Sequence, residues 1–571
     1  MRVNRRMLPM YTPATPGDVT VFTAASVLTM NPGQPRASAA AVRDGRILAV
    51  GEVEDMHGWL TEGRYRIDRS FERCTILPGF IDAHMHALSL GQNWQDIYLG
   101  YHDRVRPDGS IAPGARSLPA VLERLETELS RLNHDLPVAA WGFDPAHLPG
   151  VAITANDLDA VTGDRPVVVR NTSGHITYVN SATLRIAGIT RDSAVEGVVK
   201  DLTGEPTGEL REVEAMSLVG PVMAGASRQS NLLALQGAAT LARKVGCTTI
   251  SDWAFGGVAG AFQAYQEFTS ADDCPVSFVI APFYRYLLAR GGGSMAEGVK
   301  VHRQMQAEGN PRLEVGPVKL MVDGSIQGFT GDLRWPGYYN GAVNHLENTT
   351  EAELLKLVRE IHSAGLQATI HTNGDGATEK ALNALHRVLT ESPRPDHRHR
   401  LEHLQMVTNH QLGRMAAMGI AGNIFPVHIY YWGDFHYEQT LGPERANRMD
   451  SAAAADRAGV RVSFHSDAPV TPVDPLFSAW CAVNRRTSGD RVLGDGERVT
   501  VQRALKAITI DAAYLLHQDA SKGSIEVGKQ ADLTVLAEDP LAIDPNRLKD
   551  VSVVATVQEG RVFGATDTRN E

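Results

Sequence analysis

Along the chain, short apolar runs rich in β-branched residues alternate with stretches whose apolar positions recur at helical spacing. That alternation is the pattern of βα units around a parallel sheet, an α/β architecture. Strands are expected to end near His86, Asp252, Tyr284, Asp323, His371, His403, Pro426 and Asp467, the number that a (β/α)8 TIM-type barrel requires. One more apolar run, Pro166–Arg170, falls in the stretch from about 90 to 231 and is assigned to an insertion after the first barrel strand.

The two ends of the chain read differently. From Val19 to Ile76, and again from Gly523 to Phe563, short alternating segments are punctuated by turns, with Asp44-Gly45 a strong hairpin signal. The termini are therefore expected to pair into one small β-sandwich domain. The organisation this implies is 1–77 as the N-terminal part of the sandwich, 78–519 as the barrel with its insertion at about 90–231, and 520–571 as the C-terminal part. A length of 571 residues exceeds what one hydrophobic core usually spans, which fits more than one unit.

Composition narrows the function classes. Hydrophobic residues make up 43% and charged residues 21%, ordinary values for a soluble globular protein. A formal net charge of −11 works against a polyanionic partner, so no nucleic acid is expected, because such binding needs clustered Lys and Arg. No apolar run approaches the length of a membrane span, and none follows the basic first residues, so no membrane partner and a cytoplasmic location are expected. Cys74, Cys247, Cys274 and Cys481 lie far apart without a CxxC pair, which fits small buried side chains in a reducing compartment. Gly523–Lys529 matches the first positions of a phosphate-binding loop, but Gln530 stands where that loop needs Ser or Thr. Neither a GxSxG nucleophile elbow nor a GxGxxG after a strand is present.

Candidate chemistry centres on His84 and His86. An HxH pair leaving a strand places both imidazoles on one side, because strand side chains alternate with a period of two. Alone such a pair is weak evidence for a metal site. His371, His403 and Asp467 change its weight, because each stands at another expected strand end, and barrel strands bring their C-terminal ends to one face. Neutral imidazoles and carboxylates are divalent-cation ligands. Asp252 could line the same pocket or orient a ligand histidine, and the pattern leaves that open. The aromatic loops Arg334–Tyr339 and His428–Trp432 follow expected strands, so Tyr431 and Trp432 are candidates to wall a pocket for an apolar substituent. His397 and His399 are placed at a strand entry on the opposite end.

Several segments carry a resemblance that covers nearly the whole chain: Leu77–His86, Ser173–Ser181, Val318–Ser325, His371–Asp375, Leu401–Gln405, His465–Val470 and Gly523–Leu533. On these the chain resembles the amidohydrolase superfamily, within the amidohydrolase-3 group that includes YtcJ-like proteins and N-substituted formamide deformylases. The resemblance implies two divalent metal ions, zinc foremost, with His84 and His86 on one ion and His371 and His403 on the other. It further implies a carboxylated Lys319 as bridge, Asp467 as both ligand and catalytic proton carrier, and His175 beside a small-molecule substrate. The reaction implied is hydrolysis of a non-peptide amide-type C–N bond, in an N-acyl or N-formyl amine, by metal-activated hydroxide. Deamination of an amino-substituted heterocycle and ester or lactone hydrolysis stay open, as does a homodimer. A non-catalytic scaffold is disfavoured, because such proteins lose their ligands. Two departures bear on substrate choice: His465 stands where many relatives have Gly, and Gly376 follows His-Thr-Asn-Gly-Asp.

Overall fold

A computed structural model of the chain describes residues 17–60, 64–132, 136–148, 150–224, 230–344 and 346–565. Its strands and helices alternate through most of the length as an α/β fold.

Strands from both termini share one sheet. In spatial order these are 561–564, 553–558, 533–536, 75–78, 19–28, 36–43 and 46–51, with 65–68 paired to 19–28. The seam between the two ends is the antiparallel pair Thr75–Pro78 with Leu533–Leu536, in which Ile76 faces Val535. Two tight hairpins hold its arms. Asp44 and Gly45 have φ of 49° and 75°, and Glu559 and Gly560 have 49° and 80°, the left-handed pair that a two-residue turn needs between right-twisted strands. Val21, Phe22, Ile76, Leu533 and Val535 are all buried within this sheet's packing.

The sheet hands the chain to the parallel strands at Gly79. A Cβ there would stand 2.0 Å from Thr248 Oγ1, so only glycine lets the backbone pass. Parallel strands then form two ladders. One runs 80–82, 247–255, 277–282 and 313–315, and the other runs 318–321, 368–372, 400–403, 421–424 and 462–464. They meet on both sides. Phe283 bridges to Lys319 in parallel fashion, while Asp467 N–H donates to the His84 carbonyl at 3.1 Å and His86 N–H to the Ala468 carbonyl at 2.7 Å. Pro166–Arg170, set aside above, contributes to a different, six-stranded sheet of residues 97–211, in which strand 167–171 lies between 138–143 and 176–179.

Helices between the parallel strands cover their outer faces. In Glu351–Ser363 the buried positions Leu354, Leu357, Val358 and Ile361 fall on one face at helical spacing, and Thr350 caps the start by accepting from Glu353 N–H. Each strand divides its side chains between that layer and the interior. Val318, Leu320, Ala368 and Ile370 join the large apolar core, and the intervening Lys319 and His371 point away from it to the shared end of the ladders.

Candidate metal centre

A cavity of about 280 Å³ opens at the C-terminal ends of the parallel strands. His84, His86, Lys319, His371, His403 and Asp467 all line it, and so does His175 from the six-stranded unit. The structure thus gathers seven of the nine residues singled out by sequence. Tyr431 and Trp432 are placed elsewhere and do not line this cavity. Trp432 is 1% exposed and donates its indole N–H to Asp144 Oδ2 at 3.0 Å, and Tyr431 lines a neighbouring cavity. Trp335 and Tyr339 in the other aromatic loop are exposed.

Backbone conformation brings these side chains together. Beyond strand 80–82 the two-residue alternation sends Met85 into the core, with His84 and His86 lining the cavity. At strand 400–403 alternation alone would turn His403 away from Glu402. His403 instead has φ of 71° and Leu404 48°, and this left-handed turn directs both consecutive side chains to the interior. Asp467 sits at φ 53°, another non-glycine residue held in the left-handed region at the site, as are Glu212 and Ala254 of the lining.

Most of the imidazoles are oriented by a partner on the ring nitrogen away from the cavity. His84 Nδ1 lies 2.6 Å from Glu402 Oε2, His86 Nδ1 2.8 Å from the Trp253 carbonyl, and His371 Nδ1 3.1 Å from Asp323 Oδ1. Each acceptor holds the proton on Nδ1 and turns the Nε2 lone pair to the other side, where that of His371 has Asn373 Nδ2 at 3.4 Å. Burial holds His84, His371 and His403 well below the usual histidine range, in the neutral form that binds cations. Burial opposes charge on His86 too, but the adjacent Asp467 carboxylate outweighs it and raises that ring's pKa. Asp467 is held far below the carboxylate range against the penalty of burial, by the neighbouring His84, His86 and His465. Its Oδ1 stands 3.2 Å from His86 Nε2 and 3.4 Å from His84 Nε2. Lys319 is 3% exposed, makes no ion pair among the described residues, and is brought down to about 8 by burial.

Three atoms at the centre are left unsatisfied. His84 Nε2, His403 Nδ1 and Asp467 Oδ1 are buried without a hydrogen-bond partner, and the three residues offer ligand atoms within 4.8 Å of one another. A buried polar atom without a partner costs about 1–3 kcal/mol, so three in one place fit a group supplied from outside the chain. Imidazole and carboxylate donors suit a divalent cation. His84, Glu402 and His465 form a second such trio. Glu402 is already committed: it accepts from Arg400 Nε at 2.6 Å, from Asn423 Nδ2 at 2.8 Å and from Thr369 Oγ1, besides His84. Its role here is to orient the His84 ring. His465 lies between two rings, 4.7 Å from His84 and 4.9 Å from Phe425, with neither ring nitrogen bonded.

Glu402, Asp323 and Glu212 belong to the site's support and had no assigned role at the level of sequence. Glu212 receives His175 Nδ1 at 3.0 Å, and Gly324 makes room for it, since a Cβ there would come within 1.9 Å of Glu212 Oε1. The His175 ring is in turn 5.2 Å from that of His371. Asp252 accepts the Tyr265 hydroxyl at 2.6 Å and bridges to His86 through the backbone, outside the cavity lining. His397 and His399 pack with His362 at the other end of strand 400–403.

Parallel strands ending on a buried set of imidazoles and one ionised carboxylate define a hydrolytic enzyme of the metal-dependent kind. The sequence profile of the amidohydrolase family matches residues 73–563, and the chain belongs to that family. It is similar to YtcJ of Bacillus subtilis, 28% identical over 94% of this chain and 97% of the relative. N-substituted formamide deformylase of Arthrobacter pascens is also 28% identical, over 94% of this chain and 96% of its own. Among solved structures, an uncharacterized metal-dependent hydrolase from Pyrococcus horikoshii superposes with a TM-score of 0.69 at 20% identity, covering 92% of this chain and 99% of that one. Among the described residues, no helix is long and apolar enough to cross a membrane.

Proposed function

We propose that the protein hydrolyses a non-peptide amide, an N-acyl or N-formyl amine, at a centre of two divalent cations, zinc foremost. The observation that carries this reading is the convergence of unsatisfied His84 Nε2, His403 Nδ1 and Asp467 Oδ1 in one cavity. With the consecutive segments 313–315 and 318–321 counted as one strand position, the two parallel ladders are taken as halves of one (β/α)8 barrel, joined at Phe283–Lys319 and at Asp467–His84, and the sheet of both termini as the small β domain. His84 and His86 would hold one ion and His371 and His403 the other, with Lys319 as a carbamate between them and Asp467 beside both. The burial of Lys319 without a carboxylate partner supports that last assignment. Bound there, divalent cations supply Lewis-acid polarisation of the scissile carbonyl and acidify a water.

The chain's own groups do the rest. Asp467 Oδ, held ionised, takes the proton of the attacking water and returns it to the leaving nitrogen, which turns a poor amide leaving group into an amine. His175, fixed by Glu212, faces the substrate across His371. The relation to a deformylase at 28% identity supports an amide substrate. Unpaired Cys74, Cys247, Cys274 and Cys481 support a reducing compartment. The test is product analysis with metal-loaded protein on panels of N-acyl amines, esters and amino-heterocycles. An acid and an amine are expected, and Asp467→Asn is expected to lower kcat by about 10²–10⁴. Release of ammonia with an oxo-heterocycle, or an unchanged rate in that variant, would overturn the proposal.

A further inference from the structure

A second cavity, of about 480 Å³, adjoins the first and shares Trp141 and Pro469 with it. Its walls are mainly apolar, with Leu90, Tyr430, Tyr431 and Phe477 among them. Within that apolar lining stands a buried cation. Arg104 is 7% exposed and forms no ion pair with a carboxylate among the described residues. Its guanidinium is held in place by donating to the Val470 carbonyl at 2.8 Å, with the Tyr431 ring 5.8 Å away. Arg104 Nε has no hydrogen-bond partner, and the indole N–H groups of Trp94 and Trp141, two more residues of this lining, have none either.

Three buried donors on residues of this lining lack acceptors, one of them on a charged guanidinium, so an acceptor-bearing anionic group could satisfy what the chain leaves open. The other charged groups on the lining are engaged. Lys549 pairs with Asp550 at 2.7 Å, and Lys244 donates to the Pro107 carbonyl at 2.8 Å. Asp103 accepts from Gly114 N–H at 2.8 Å, and Asp474 caps its helix by accepting from Phe477 N–H at 3.0 Å. A guanidinium is always charged and matches the two oxygens of a carboxylate.

We infer that this cavity is the distal subsite of the enzyme and that its substrate is an amide whose apolar or aromatic body ends in a carboxylate bound by Arg104. This rests on the reading of the first cavity as the hydrolytic one. Val470 ties the two, because it lines the first cavity and its carbonyl anchors the guanidinium of the second. Recognition of this kind selects by charge as well as shape.

The test compares 4-(acetamidomethyl)benzoate with its near-isosteric carboxamide, in wild-type protein and in Arg104→Gln. The ratio of kcat/KM values, carboxylate over carboxamide, is expected to be about tenfold or more in the wild type, the scale of one charge-assisted contact, and to fall to near one in the variant. A wild-type ratio near one, or a ratio that survives Arg104→Gln, overturns the inference. Binding of 4-methylbenzoate against 4-methylbenzamide, followed by calorimetry in wild type and in Asp467→Asn, reads the subsite without hydrolysis. Selective benzoate binding with no amide cleavage would fail the proposed function alone. Cleavage without any carboxylate selectivity would fail this inference alone, and non-competitive inhibition by 4-methylbenzoate would do so too, by marking the cavity as a place for a separate effector. Trp141→Phe, which deletes one donor and keeps an aromatic ring, is expected to lower the ratio by a smaller factor if Arg104→Gln does not fold.

Discussion

Replacing Glu402 by Gln is expected to damage metal binding as well as the fold, because this fully buried carboxylate serves both. Its two oxygens accept from Arg400 Nε at 2.6 Å, Thr369 Oγ1, Asn423 Nδ2 at 2.8 Å and His84 Nδ1 at 2.6 Å. Burial opposes ionisation here, yet Arg400 and His84 hold the carboxyl well below its usual range. Glutamine keeps the shape but turns one oxygen into a donor. If the remaining oxygen stays with Arg400, an amide N–H faces the Nδ1–H of His84. The ring escapes that clash by moving its proton to Nε2, which covers the lone pair directed at Asp467. The hydrogen bonds from His84 and Asn423 are lost and the buried Arg400 keeps only a neutral acceptor, which together come to about 3–5 kcal/mol of stability. Loss of the group that orients a ligand histidine costs about 10–100-fold in metal affinity. Chelator-competition titration measures the second effect and urea denaturation the first. A Glu402→Gln protein that binds metal within about twofold of wild type and unfolds at the same urea concentration would refute the reasoning.

Asp144 and His465 offer independent checks. Burial pushes the Asp144 carboxyl up to about 6, so the folded state binds its proton more tightly than the unfolded chain does. Its contribution is present in full below about pH 4 and is lost as pH rises through about 6, a decline on the order of 3 kcal/mol. Asp144→Asn should remove that part of the slope in urea-denaturation midpoints taken from pH 4 to 7, and an unchanged slope would count against the assignment. For His465→Phe, the ring stack between His84 and Phe425 is kept while two unpartnered buried nitrogens disappear. A gain of about 1–3 kcal/mol in stability with unchanged metal affinity is expected, and a fall in affinity would make His465 a ligand.

What was legible in the sequence follows from how parallel strands are buried. Strands covered on both faces read as continuous apolar runs, so their ends could be placed near His86, His371 and Asp467 without any structure. The HxH spacing conveyed which way His84 and His86 face. Other features depend on contacts that spacing does not encode. The left-handed turn at His403 and Leu404 breaks the alternation that would have set Glu402 and His403 on opposite faces. Trp432 follows a strand as a pocket wall would, but its indole is taken by Asp144, 288 positions away in the chain. Arg104 carried no motif, and its significance is the missing carboxylate, visible only once neighbours are known.

The supporting carboxylates follow a simple physical logic. Glu402 and Asp323 are each buried to 1% exposure or less, where an unpaired charge would be costly. Each is surrounded by donors: Asp323 accepts from the backbone N–H groups of Asn373, Gly374 and Asp332 at 2.8–3.0 Å as well as from His371. Those donors fix the carboxylates, and the carboxylates fix the tautomers of His84 and His371. Orientation therefore passes inward from the rigid ladder to the ring and from the ring to the open Nε2. Among the polar atoms left unsatisfied are those at the end of that chain, His84 Nε2 and Asp467 Oδ1, 3.4 Å apart. Buried atoms left open at the end of such a chain favour a group bound between them, so a cation held there, as proposed, would couple its affinity to folding stability.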